Sequence, residues 1–538
     1  MPQSLRTYEE TYGSFRWRIP DRFNIAEAAC DRHVGSNKIA IILDGVAGTS
    51  EMTFEHIQDQ SRRLANALSA HGIVRGDRIG ILLPQCPETV IAHFAAYRLG
   101  AIALPLFTLF GPDAIEYRLK DSGAKAVVSN AAGVEKLLGV AEKLETPPLL
   151  ISIDERCDGD VLDWTTLIAR ASGEHARVDT DAEDPAIIVY TSGTTGNPKG
   201  VLYAHRVLLG HLPGVELPHE FFPQPGDRMW TPADWAWAGG LMDVLLPSLF
   251  HGAPVVAKRL QKFDPEEAFS LIARLGVRNS FMPPTALKMM RKAPRSPGAF
   301  GYSMRSIASG GERLGEEMLD WGREVFGLTI NEFYGQTEAN LTVGNCASIM
   351  ALKQGSMGRA MPGHVVDIVD EEGNVLPPGS TGSIAVKAPD PVFFLRYWNK
   401  PEATKEKFLN GWLITGDTGV RDEEGYFWFH GRDDDVIISG GYRIGPTEIE
   451  ECLMAHPAVA LVAVVGAPDP VRGEIVKAFI VPREGVVVDD AVRADVQAYV
   501  KARLSAHEYP RQIEFRDSLP LTITGKIRRR DLREEPQS

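Results

Sequence analysis

A short apolar run at residues 186–190 (AIIVY) feeds without a break into the glycine- and hydroxyl-rich stretch 191–200 (TSGTTGNPKG). A buried strand emptying into such a stretch needs neighbours on both sides, and the preceding sequence supplies them. Between residues 51 and 130, helical and strand patterns alternate. Ile57, Leu64 and Leu68 fall on one helical face. Residues 79–83 then read as a buried strand closed by Pro84, residues 90–99 as a helix stopped at Gly100, and residues 101–106 as the next strand. Strands separated by helices predict a parallel sheet covered on both faces. A further helix is expected to begin near His205.

The texture changes from about Gly355. Pro362, Gly363, Pro377, Pro378, Gly379 and Gly382 punctuate short β-type runs, which predicts a small, mostly β subdomain. A charged cluster follows at 431–435 (GRDDD). Helix and strand patterns then resume, at 447–454 and 460–465. With 538 residues and a hydrophobic fraction of 44%, the chain can bury a large core and is too long for one ordinary domain. The expectation is an α/β fold in two parts. A large multilayer N-terminal domain spans 1–432, and a small α+β domain spans 433–538.

Charge and cysteines narrow the class. Fifty-seven Lys and Arg against 71 Asp and Glu give a net charge of −14, which argues against non-specific nucleic-acid binding. The five cysteines (Cys30, Cys86, Cys157, Cys346, Cys452) are odd in number and show no CxxC spacing, as expected of a reduced, cytoplasmic protein. The N-terminus has no apolar signal region, and no run of about 20 apolar residues offers a membrane span. Self-association is left open.

The stretch 191–200 has what a phosphate cradle needs. Gly193, Gly196 and Gly200 let backbone approach oxygens closely, Thr191, Ser192, Thr194 and Thr195 offer hydroxyl donors, and Lys199 brings a point charge. Its place after a strand and before an expected helix also suits an anion. A solvated Gly/Thr turn is the plainer alternative. A Walker A loop is disfavoured, because Lys199 stands between Pro198 and Gly200.

Further elements follow in a fixed order: GGE at 310–312, FYGQTE at 333–338, GWLITGD at 411–417, YFWFHGRDDDVIISGGYRIGPTEIE at 426–450 and LPLTITGKIRRRDLR at 519–533. Together with 191–200 they resemble the adenylate-forming superfamily over nearly the whole chain. DPVRGE at 469–474, EYPRQIEF at 508–515 and the GYRIGP element are most similar to the medium-chain acyl-CoA synthetases. The resemblance implies a large N-terminal domain with a β-barrel-like part, then a hinge and a mobile α+β domain. It also implies two half-reactions. A carboxylate attacks the α-phosphate of ATP to give acyl-AMP and pyrophosphate, and the thiol of coenzyme A then displaces AMP. Two anions must meet in the first step. The carboxylate is already ionised near neutral pH, so the chemistry calls for positioning and charge stabilisation rather than a general base.

By the same resemblance, Lys199 and the amides and hydroxyls of Thr191 to Gly196 hold the β- and γ-phosphates. Glu338 is the Mg²⁺ ligand, and Thr337 meets the α-phosphate or the substrate carboxylate. Gly311, Glu312, Glu332, Phe333 and Tyr334 surround adenine, with Gly335 and Gln336 continuing the nucleotide wall. Asp417 receives the ribose hydroxyls, with Arg432 beside it. Lys526 bridges the attacking carboxylate and the transferring phosphate. Asp434 matches the hinge. Arg443 contacts phosphate in one state, and Gly440, Gly441 and Tyr442 line a pantetheine tunnel in the other. Arg472, Lys501 and Arg511, with Tyr509 and Pro510, match positions that meet coenzyme A.

The stretch 231–243 (TPADWAWAGGLMD) falls where such proteins build part of the acyl site, so Trp235, Trp237 and Gly239 are expected to line it. Plain core packing is the alternative for both tryptophans. Acetyl-CoA synthetases carry a Trp at the position of Gly335, so glycine there implies room for a medium-chain, branched or small aromatic acid. Three alternatives stay open: a short-chain ligase for acetate or propionate, an adenylate former serving a carrier protein or other acceptor, and a non-catalytic binding protein.

Overall fold

The computed structural model describes residues 7–154, 160–175, 177–191, 197–259, 262–293, 300–311, 314–432, 437–520, 527 and 529–534. Local sequence chemistry sets the first elements. Thr53 caps the helix Phe54–Ala70 by accepting from the His56 amide, and Ile57, Leu64 and Leu68 are buried on its inner face. Pro87 begins the next helix, Pro87–Arg98, where a missing N–H costs nothing. Gly100, just beyond it, takes a left-handed φ of 64° and turns the chain into the strand Ile102–Pro105.

That strand belongs to one of two large sheets. The first has eight strands among the described residues. Its core is parallel: Ile102–Pro105, Arg78–Leu82, Ala126–Ser129 and Leu149–Ser152 run side by side, and Pro185–Thr191 joins Ile102–Pro105. The parallel sheet expected from the alternating pattern is therefore present. Residues 199–204 form a strand, Lys199–Ala204, folded back antiparallel on Pro185–Thr191, and the helix expected near His205 begins at Val207.

The second sheet is parallel from Ile39–Gly45 through Val255–Ala257, Met229–Trp230, Asn279–Phe281 and Ser306–Gly310 to Ile330–Gln336. It then turns antiparallel through Ala339–Gly344, Gly358–Ala360, Tyr426–Arg432, Trp412–Arg421, Thr381–Lys387 and Val366–Val369. The mostly β region predicted from Gly355 is this antiparallel end. It is hydrogen-bonded edge-on to the parallel part.

Among the described residues a third, five-stranded sheet forms the C-terminal part. The strands Val459–Asp469 and Gly473–Pro482 are its long hairpin, and the helices Pro446–Met454 and Asp490–Arg503 accompany it. Among the described residues no helix is long and apolar enough to cross a membrane.

Candidate functional site

The site forms where the two large sheets approach each other. Its centre is the tip of the hairpin Ile330–Gln336 with Ala339–Gly344. Gln336 pairs with Ala339, so Thr337 and Glu338 alone make the turn. A carboxylate in a two-residue turn is held tightly by its backbone. Here the turn is also clamped from the other sheet: Phe394 N donates to Glu338 O at 3.2 Å, and Tyr203 Oη donates to Thr337 O. The Glu338 side chain is 5% exposed and accepts a 2.6 Å hydrogen bond from Tyr397 Oη. The Lys199 ammonium stands 5.2 Å from the centre of the same Tyr397 ring. One tyrosine therefore touches the carboxylate of the hairpin tip and the cation of the glycine-rich hairpin.

Lys199 pairs with Thr191 on the neighbouring antiparallel strand, and Ser192, Gly193, Thr194, Thr195 and Gly196 lie outside the described residues. Gly200 is closely packed on the side a side chain would occupy. A Cβ there would meet Ile188 at 3.0 Å and Trp398 at 3.1 Å.

On the other side of the tip, Gln336 Nε2 donates to Asp417 Oδ2 at 2.7 Å, and Tyr334 Oη donates to the same oxygen at 2.7 Å. Asp417 is 3% exposed and lies opposite Arg432 in the strand pair. Glu332 Oε1 accepts from Leu314 N at 3.0 Å, tying the strand to the segment after Gly311. Gly311 itself has a φ of 91°, so it alone of the twenty residues turns there without strain. Glu332, Tyr334, Gln336, Thr337 and Glu338 thus lie along one hairpin, and Asp417, on the strand Trp412–Arg421, meets it through Tyr334 and Gln336. Phe333 is 9% exposed and packs on Phe281 at 5.3 Å.

The C-terminal residues reach this face. A Cβ at Gly311 would lie 4.0 Å from Gly441 O, and Gly440 N donates to Arg472 O at 2.9 Å. Tyr442 stacks on His507 at 4.1 Å, and both rings meet Phe107 and Trp237. Burial holds the His507 imidazole down to about 3, with Arg118, Arg472 and Arg511 adding repulsion, so the ring is neutral. Arg511 and Lys501 lie over the Tyr509 ring at 4.9 and 5.8 Å, and Arg511 Nη1 also donates to Tyr509 Oη at 2.9 Å. Burial and the nearby Arg472 lower Arg511 from its ordinary value. Pro510 O accepts from Gln497 Nε2 at 2.8 Å. Lys501 and Arg511 thus flank Tyr509, and Arg472 stands close enough to Arg511 to repel its charge. Glu312, Asp434 and Lys526 lie outside the described residues, as do the side chains of Arg432 and Arg443.

The expected acyl wall divides. Trp235, 1% exposed, belongs to the main hydrophobic core, whereas Trp237 joins Phe107, Phe110, Tyr442 and His507 in an aromatic cluster. A Cβ on Gly239 would meet Phe281 at 2.8 Å. A Cβ on Gly335 would lie 2.3 Å from Leu341 N and 2.6 Å from Asn340 Oδ1. The volume the sequence assigned to an acyl tail at Gly335 is therefore held by the neighbouring strand. Asp234 is half-buried, and its carboxyl is pushed up to about 7 by desolvation, against one hydrogen bond from Ala236 N.

Sequence reasoning missed Tyr397, His507 and Asn340. Tyr397 carried a faint signal in the aromatic run YW at 397–398; the others carried none.

Glu338 offers Mg²⁺ a hard oxygen donor in a rigid turn. Among the described residues no cluster of three or more His, Cys, Asp or Glu is arranged to hold a metal ion. A cation here would share one carboxylate with phosphate oxygens, which is how Mg²⁺ is commonly bound.

Known proteins resemble this chain over most of its length. The family described as AMP-binding enzyme matches residues 27–398, and the AMP-binding enzyme C-terminal domain matches residues 448–526. The acetyl-coenzyme A synthetase of Bacillus subtilis (strain 168) is 37% identical over 98% of this chain and 95% of its own length. The mitochondrial acyl-coenzyme A synthetase ACSM3 of Rattus norvegicus is 35% identical over 99% and 94%. The crystal structure of a Brucella canis acyl-CoA synthetase superposes with a TM-score of 0.74 at 36% identity, covering 98% of this chain and 99% of that one.

Proposed function

The chain belongs to the AMP-binding enzyme family, and from that premise we propose that it is an AMP-forming acid–CoA ligase using ATP, Mg²⁺ and coenzyme A. The observation that carries this reading is the hairpin tip Thr337–Glu338. It stands between the Lys199–Tyr397 pair on one side and Asp417, through Gln336, on the other. A phosphate-binding cation, a metal-binding carboxylate and a ribose-binding carboxylate are what ATP requires in that order.

In the first half-reaction the substrate carboxylate attacks the α-phosphorus, and the pyrophosphate oxygen leaves with the bonding electron pair. Lys199 and the hairpin it borders hold the leaving phosphates. Thr337 meets the α-phosphate or the entering carboxylate. Asp417, oriented by Tyr334 and Gln336, receives the ribose hydroxyls. Glu338 would hold Mg²⁺, which when bound offsets phosphate charge. Lys526 carries the charge that bridges the two anions. In the second half-reaction the thiol sulfur attacks the acyl carbonyl and AMP leaves. The basic group Arg472, Lys501 and Arg511 supports a role in binding the phosphates of coenzyme A, and the Gly440–Gly441–Tyr442 turn a role in guiding its thiol arm.

The division into 1–432 and 433–538, with Asp434 as the hinge, is part of this reading; it falls between the two matched segments. A reducing, cytoplasmic setting fits the described cysteines, Cys30, Cys86, Cys346 and Cys452, which are all free thiols. The acid is taken to be medium-chain, branched or small aromatic in preference to acetate. Support for that is narrower than the sequence implied, since Asn340 fills the space beside Gly335.

The test is pyrophosphate and AMP release across a panel of carboxylates, with and without coenzyme A. AMP release that depends on both acid and coenzyme A is expected. Coenzyme A-independent transfer to another acceptor would overturn the ligase reading, and equal kcat/KM for acetate and hexanoate would overturn the acid class. A Lys526→Ala variant should keep its fold and lose about 10²–10³-fold in adenylation, the usual cost of removing one charge-stabilising group.

A further inference from the structure

The start of one helix meets the end of another that lies far along the chain. Gly111 is the N-cap of the helix Pro112–Ser122, and Leu504 is the C-cap of the helix Asp490–Arg503. Gly111 N donates to Leu504 O, and Phe110 forms an antiparallel bridge with Ser505. The closing carbonyls of a helix have no partner within it, so the Gly111 amide satisfies one of them. The positive end of one helix dipole thereby faces the negative end of the other. Asp113 and Arg503, each at the end that suits its charge, pair at 3.7 Å. Lys136 braces the loop before Gly111, its Nζ donating to Thr108 O at 2.8 Å and Phe110 O at 3.1 Å.

Nothing local asks for glycine at 111. Its backbone, at φ −76° and ψ 170°, is ordinary extended chain. An N-cap favours Ser, Thr, Asp or Asn, whose side chain would make the capping bond that is absent here. The contact with the second helix does explain it. Gly111 is buried, and a Cβ there would stand 2.2 Å from Arg503 O and 2.8 Å from Ala502 O. Both are backbone atoms, which no change of rotamer moves aside. In this same arrangement the stretch 440–442 stands at the candidate site. Tyr442 packs on Phe107 and Trp237, and Gly441 O lies 4.0 Å from the point a Cβ on Gly311 would occupy.

We propose that Gly111 is a positioning residue for the second half-reaction. By lacking a side chain it lets residues 502–505 dock at the start of the helix Pro112–Ser122, and that docking holds the 440–442 turn at the site while coenzyme A attacks. This rests on the ligase reading, in which adenylation needs Lys526 at the site and transfer needs Gly440, Gly441 and Tyr442 there instead. Gly111 touches no reacting atom. A side chain at 111 changes only how much of the protein is docked, so its cost falls on transfer and spares adenylation.

The experiment measures the two half-reactions separately in the full chain, with hexanoate or whichever acid of the panel releases pyrophosphate fastest. Acid-dependent ATP–pyrophosphate exchange reads the first. The rate at which coenzyme A consumes acyl-AMP preformed on the enzyme reads the second. Gly111→Ser supplies the side chain an N-cap favours, so a role confined to the helix predicts an equal or higher thermal midpoint and both rates intact. The docking role predicts exchange within about twofold and transfer slowed about 10-fold or more, because overpacking against backbone disfavours the contact. Phe110→Cys/Ser505→Cys tests the opposite sense, since a bridged pair stands close enough for a disulfide. Oxidation should slow exchange about 10-fold or more relative to the same protein reduced, while preformed acyl-AMP is still passed to coenzyme A. A Gly111→Ser protein that loses both steps equally, or neither, overturns the proposal. So does a folded double variant that forms no disulfide, or whose disulfide leaves exchange untouched. No acid-dependent exchange in the unaltered protein overturns the ligase reading instead.

Discussion

Replacing Tyr397 by phenylalanine removes one oxygen atom and tests how the nucleotide site is assembled. Tyr397 is 2% exposed and Glu338 5%, and their hydrogen bond is short, at 2.6 Å. Hydrogen bonds to charged groups contribute about 1.5–3 kcal/mol, and burial favours the upper half of that range. The ring remains, so the contact with Lys199 at 5.2 Å is kept. The loss should therefore fall on the orientation of Glu338 and appear as a requirement for more Mg²⁺. We expect the Mg²⁺ concentration for half-maximal ATP–pyrophosphate exchange to rise roughly 10- to 150-fold, the equivalent of that energy. The assay is exchange titrated with Mg²⁺ at fixed ATP, with the thermal midpoint measured in parallel. A Mg²⁺ titration unchanged within twofold in a folded Tyr397→Phe protein would refute the idea that this hydroxyl positions Glu338.

Gly335→Ala places a Cβ 2.3 Å from Leu341 N, so the hairpin tip must shift; a loss of about 1–3 kcal/mol in unfolding free energy, with a larger loss of exchange activity, is expected. Asp417→Ala removes the acceptor of Tyr334 and Gln336, and should raise the KM for ATP by about 10-fold or more while leaving the CoA-dependent step less affected. Acid stability has a defined sign. Burial lowers His93, His205, His219 and His507 to about 3 and His211 to about 4, below the ordinary 6.5. Their contribution is whole above pH 6.5 and is lost as pH falls toward 3, at up to about 1.4 kcal/mol per pH unit for each histidine. Urea unfolding at pH 7, 6 and 5 checks this, and His507→Phe should lessen the slope. Asp234 works oppositely: its carboxyl is raised to about 7, so stability is lost as pH rises from 4 through 7, and Asp234→Asn should flatten that limb.

The sequence by itself determined what local chemistry dictates. The parallel strands, the helix between them and the turn at Gly100 each depend on a few neighbouring residues, and they stand where the patterns place them within one to three positions. Asp417, Glu338 and Gln336 were legible because their motifs keep a fixed order along the chain. Only the tertiary structure decided what those residues touch. Tyr397 and Glu338 are 59 positions apart, and Asp243 and Asn340 are 97 apart. Such pairs depend on strand order and on the angle at which two sheets meet, and no local periodicity encodes either. The same holds for the segment after Lys199. Its apolar run suits a strand or a helix equally, and its antiparallel pairing with Pro185–Thr191 made it a strand. The meaning of Gly335 changed for the same reason. As a letter it looked like empty space, but in the fold a neighbouring strand already holds that volume.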